Sequence, residues 1–139
     1  MTSELRVDNL KGSTTGGSIN VLGEGTSATT NLQQGLTKVW IDIPLDGASI
    51  NDSFNVSTLT DVDAGDRSVN LTSSMGSTNF SVNSTVLYAH GSSNHGVRNS
   101  PVASKTASVI NIDTGTTNGS GQFGFEDRGS GMSAHGDLA

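Results

Sequence analysis

Between Leu36 and Thr85 apolar and polar residues alternate in four segments, each bounded by Gly, Pro, Asp or Asn. In the first, Val39, Ile41 and Ile43 share one face while Lys38, Trp40 and Asp42 take the other. Phe54 and Val56 repeat the pattern, then Val69 and Leu71 around Asn70, then Phe80 and Val82 among Asn79, Ser81 and Asn83. A period of two marks strands that bury one side only, and strands packed on one face and wet on the other form antiparallel sheets. The predicted core is therefore Val39, Ile41, Ile43, Phe54, Val56, Val69, Leu71, Phe80 and Val82.

Turn chemistry sets the order of these strands. Pro44 stops the first, Asp61 to Asp66 carries the Asp and Gly residues of a hairpin turn, and Met75-Gly76-Ser77 marks another reversal. Phe80 to Ala89 reads as a longer strand with a bend at Asn83-Ser84-Thr85. His90 to Ser104 reads as a loop, Val109, Ile110 and Ile112 as a strand, and Phe123 with Phe125 as the last strand. From Gly129 the chain shows no pattern, and no segment has helical periodicity. The fold class is all-β, a small antiparallel β-sandwich or jelly-roll-like domain over residues 36–127. An extended N-terminal arm over 1–35 precedes it and a C-terminal tail over 128–139 follows.

The arm holds two short apolar clusters, Leu5, Val7 and Leu10, then Ile19, Val21 and Leu22, separated by the turn-forming run from Gly12 to Gly17. Each suffices for one short strand and neither makes a core. The polar, glycine-containing stretch from Gly23 to Gly35 reads as a linker. Such an arm either docks onto something larger or frays as a free tail.

Composition sharpens this picture. Only 32% of the residues are apolar and 4% aromatic, and Ser, Thr, Asn and Gly make up about half of the chain, so the core is thin. Small cores draw support from disulfides, metals or neighbouring subunits, and with no cysteine the first route is closed. The net charge of -6, with seven scattered Lys and Arg, argues against nucleic acid and against an anionic membrane surface. No apolar run is long enough to span a bilayer, and the first residues carry no secretory pattern, so a soluble protein is expected, its lack of cysteine compatible with assembly in a reducing cytoplasm.

The chemical motifs are weak. Asp61, Asp63 and Asp66 around Gly65 resemble part of a calcium loop, but Thr72 stands where the closing bidentate acid belongs, which favours the hairpin turn. His90, His95 and His135 are the only histidines and have no metal-ligand spacing. The GxGxxG run from Gly119 to Gly124 lacks the following helix that a dinucleotide site requires. Six Asn-x-Ser/Thr triplets, at Asn51, Asn55, Asn70, Asn79, Asn83 and Asn118, follow from composition. No nucleophile elbow and no placed acid–histidine set is found, so the expectation is no enzyme, no cofactor and no metal. A glycan-binding module using Trp40, Tyr88 and the loop from His90 through His95 and Arg98 to Ser100 is the alternative.

The words SELRVDNLKGS, GLTKVWIDI, SINDSFNVSTLTD, DRSVNLTSSM and TNFSV, in that order, resemble a module recurring in structural proteins of tailed bacteriophages, especially marine ones. The likeness covers residues 3 to 85 and rests on Lys38 and Trp40, Ser53 to Ser57, Ser68 to Thr72, and Asn79 with Phe80. Leu71 departs from the aromatic usual there. The resemblance implies a non-enzymatic virion component assembled in the host cytoplasm, a capsid decoration (cement) protein or a short tail or head fibre. It further implies a trimer, attached by the arm to a major capsid protein or a tail protein, with the sandwich outward toward a host surface glycan. Leu5, Val7, Leu10, Ile19, Val21 and Trp40 are the expected subunit or virion contacts, Trp40 because a large aromatic on a wet face costs solubility unless covered; the alternative is that Trp40 covers its own sheet.

Overall fold

The computed structural model describes residues 4–13, 19–22, 29–87, 97–117 and 120–139, with residues 97–99 described by their backbone. The chain divides into two units, Met1–Leu36 and Thr37–Ala139. In the first, strand β1 (Asn20–Leu22) pairs antiparallel with β2 (Thr29–Asn31), which runs directly into a single helical turn, α1 (Leu32–Gly35). The linker reading is thus corrected over residues 29–35, as is the expectation of no helix, while residues 23–28 lie outside the described residues. Asn31 is the reason: its side-chain oxygen accepts from the backbone N–H groups of Gln33 at 2.9 Å and Gln34 at 3.2 Å, capping the turn. Residues 4–13 form no regular element.

The second unit is a β-sandwich. One sheet has the order β4-β3-β13-β7, from β3 (Thr37–Ile43), β4 (Asp52–Phe54), β7 (Ser81–Val86) and β13 (Ser130–His135). The other has the order β5-β6-β10-β9, from β5 (Val56–Asp63), β6 (Asp66–Leu71), β9 (Val102–Lys105) and β10 (Val109–Asp113). A three-stranded sheet joins β8 (Val97–Asn99), β11 (Gly115–Thr117) and β12 (Phe123–Phe125). All pairings are antiparallel.

Alternation builds the core. Val39, Ile41 and Ile43 from β3 and Met132 and Ala134 from β13 meet Val69 and Leu71 from β6 and Ile110 and Ile112 from β10, closed by Met75 and Phe80. Val56 and Val82 are half-buried at its rim. Phe54 is not in the core, contrary to its pattern: it is 51% exposed. Asn55 explains the difference. Its φ of 59° places it in the left-handed region, breaking the alternation, so that Phe54 faces out of one sheet while Val56 packs inward beneath the other. The Asn55 side chain holds this corner, donating to the Ser73 carbonyl at 3.0 Å and accepting from its N–H at 2.7 Å.

The C-terminal segment is no tail. Strand β13 lies between β3 and β7, with Met132 opposite Ile41 on one side and Ser84 on the other. Ser130, Met132 and Ala134 alternate with half-exposed Gly131, Ser133 and His135, and Leu138 bridges Met75. The domain boundary expected at residue 127 therefore cuts through the sandwich, and the strand at Phe123 and Phe125 is not the last. The bend expected at residues 83–85 is absent too, since β7 pairs with β13 without a register shift. Part of the loop expected over 90–104 forms β8 and β9, while Tyr88, His90 and His95 lie outside the described residues.

Candidate functional site

Arg67 shares the inward parity of Val69 and Leu71 and is fully buried. A buried guanidinium must have its charge and donors met. Its Nε donates to the Gly47 carbonyl, one Nη to Thr114 Oγ1 at 2.9 Å, and the other to Asp127 Oδ1 at 3.2 Å. That same Asp127 oxygen accepts the Gly65 N–H at 2.8 Å, and the Thr114 hydroxyl donates to the Glu126 carbonyl at 2.7 Å. Four connections at one end of the sandwich are joined in this way. Two glycines make room: Gly47 has φ +72° and a Cβ there would lie 1.9 Å from an Arg67 nitrogen, while at Gly65, φ +73°, it would lie 2.3 Å from the Thr114 oxygen. Arg67 has no surface of its own, and the cluster clamps the loops together.

The outer face of the β5-β6-β10-β9 sheet is polar and cross-linked. Ser68 donates to Asn111 at 2.7 Å, Asn111 donates to Ser104 at 2.7 Å, and Asn70 donates to Thr60 at 3.3 Å. Beside this ladder lies a cleft of about 360 Å³ lined by Asp63, Asp66, Ser104, Asn111, Asp113 and Phe125 among others. Asp113 stands opposite Asp66 on the neighbouring strand. Partial burial, and secondarily the negative charge of Asp66, push the Asp113 carboxyl above its ordinary value of 3.8. Asp63 caps the hairpin, accepting the Ala64 N–H at 2.8 Å. Among the described residues no three His, Cys, Asp or Glu are grouped to hold a metal.

The outer face of the β4-β3-β13-β7 sheet is built differently. Trp40, half-buried, stands directly opposite Phe54 on β4 and Ser133 on β13, and Ser133 stands opposite Asn83 on β7. The next row is Asp52, Asp42, Gly131 and Thr85. Gly131 lacks a side chain, and Asp42 is held by Asn51, whose amide donates to it at 3.1 Å. A shallow depression of about 270 Å³ results, with Asn83, Thr85, Gly131 and Ser133 in its lining. Trp40 was legible as an outward residue. Phe54, Gly131 and Ser133 were not, because the Asn55 corner and the small-residue strand hid their placement.

In the first unit Leu5, Val7, Leu10 and Val21 are 76%, 54%, 56% and 48% exposed, and Ile19 is half-buried. The Arg98 backbone lies in β8 opposite Thr116, and His135 lies half-buried in β13. Comparison with known protein families, with curated proteins and with solved structures returns no match.

Proposed function

We propose that the chain is a non-enzymatic structural component of a bacteriophage virion, a capsid decoration protein or a short fibre, attached through its N-terminal arm as a symmetric oligomer. The supporting observation is the arm itself: Leu5, Val7, Leu10, Val21 and Leu22 all stand exposed in a unit of two three-residue strands and one helical turn. An apolar series of this kind gains burial only against another surface. The sandwich, in contrast, has a closed core of its own.

The test is made on purified particles. Quantitative mass spectrometry is expected to find the chain in fixed stoichiometry to the major capsid or tail protein. A full-length Leu5→Ser, Val7→Ser, Leu10→Ser variant is expected to fold and to be missing from the particles. A chain absent from particles, or an arm variant that still incorporates fully, overturns the reading. A receptor-binding role is the second reading, favoured by half-buried Trp40 standing directly opposite exposed Phe54.

A further inference from the structure

We propose that the outer face of the β4-β3-β13-β7 sheet is a binding site for a neutral sugar ring, seated over Gly131 and stacked against Trp40. The inference rests on the second, receptor-binding reading and is independent of attachment through the arm. Three features of one surface carry it.

The first is a recess where a strand face would ordinarily be filled. Gly131 is one of the two inner residues of its row, and a Cβ there would lie 3.3 Å from Thr85 Oγ1, so any larger side chain would fill the depression. Gly131 does not have the positive φ that would demand glycine. Glycine in a strand interior weakens it, and a common reason to keep one is the close approach of another molecule.

The second feature is aromatic surface beside the recess. Trp40 and Phe54 form a directly opposed pair on the same face, and Trp40 is one strand away from the lining residue Ser133. Neither ring lines the depression itself; both stand in the adjoining row, and aromatic side chains of this kind suit the C–H face of a pyranose. The third is the polar rim. Asn83, Thr85 and Ser133 offer an amide and two hydroxyls, and Asp42 and Asp52 add carboxylate acceptors in the adjoining row. Convergent neutral donors and acceptors next to aromatic planes match a ligand that alternates C–H faces with hydroxyl groups. The two carboxylates and the net charge of -6 repel phosphate, sulfate and carboxylate groups, which restricts the class to uncharged sugars.

Trp40 is the only tryptophan, so its emission reports on the site directly. The full chain is titrated with neutral oligosaccharides of glucose, mannose, galactose and N-acetylglucosamine, and with a sulfated oligosaccharide as control. At least one neutral member is expected to give a saturable shift of Trp40 emission, and the sulfated one none. Gly131→Val, which fills the recess, is expected to weaken that binding at least about tenfold. Circular dichroism establishes that the variant folds, and Asn83→Ala, at an exposed side chain, serves as the second variant with a smaller loss. No shift with any neutral member overturns the proposal. So does a shift that survives both substitutions, or an equal response to the sulfated control. An emission change that depends on protein concentration alone overturns it in favour of a second copy of the chain on the same face.

Discussion

The two outward faces of the sandwich share one core and spend their polar groups in different ways. On the β5-β6-β10-β9 sheet, Ser68, Asn111 and Ser104 are joined side chain to side chain across three strands, and Asn70 separately joins Thr60 on the fourth. On the β4-β3-β13-β7 sheet, the corresponding rows hold Trp40, Phe54, a glycine and short polar residues around a depression. The first face is satisfied internally, and cross-strand pairs of this type are the unit by which a sheet is stabilised. The second leaves half of the Phe54 ring in water beside half-buried Trp40. Polar cross-links and aromatic surface are thus divided between opposite sides of one small domain.

The sharpest way to break that division begins where the cross-linked sheet meets its loops. Arg67→Ala removes a fully buried guanidinium and strands the Asp127, Thr114 and Gly47 groups that face it. It is expected to cost roughly 3–5 kcal/mol of unfolding free energy in urea titration. Asn111→Ala cuts the ladder at its middle, losing bonds to both Ser68 and Ser104. Its expected cost in the same titration is about 1 kcal/mol.

Asp113→Asn acts in the opposite direction. Because the folded carboxyl is raised above 3.8, the folded state holds its proton more tightly than the unfolded chain does, and stability falls as pH rises through the window between the two values. The amide removes that loss. The variant is expected to be more stable than the parent at neutral pH, and the gap is expected to close below about 3.8, measured as urea midpoints across pH. Phe54→Ser, on the other face, is expected to change unfolding free energy by no more than about 0.5 kcal/mol. A cost there equal to that of Asn111→Ala would erase the contrast between the faces.

Strands β3, β6 and β10 were legible because large branched residues alternate with polar ones, as in Val39, Ile41 and Ile43 or Ile110 and Ile112. The hairpin between β5 and β6 was legible from Asp63 and Gly65. Strand β13 was hidden by its small residues: Ser130, Met132 and Ala134 are buried, yet serine and alanine carry little apolar signal. Phe54 was misplaced because alternation assumes an unbroken extended backbone, and Asn55 breaks it. Arg67 gave one usable sign, its parity with Val69 and Leu71, which its charge masked. The depression over Gly131 was out of reach, since it depends on which strands lie beside β13.

The position of β13 also sets a timetable for synthesis. Strand β3 leaves the ribosome near the beginning of the sandwich, but its hydrogen-bonding partner on one side emerges only with residues 130–135. Until then Val39, Ile41 and Ile43 lack their neighbours Met132 and Ala134, and the nascent chain carries an open, sticky margin. Closure must therefore be a late event that joins distant parts of the sequence, which favours slow folding and gives neighbouring nascent copies an opportunity to exchange this strand.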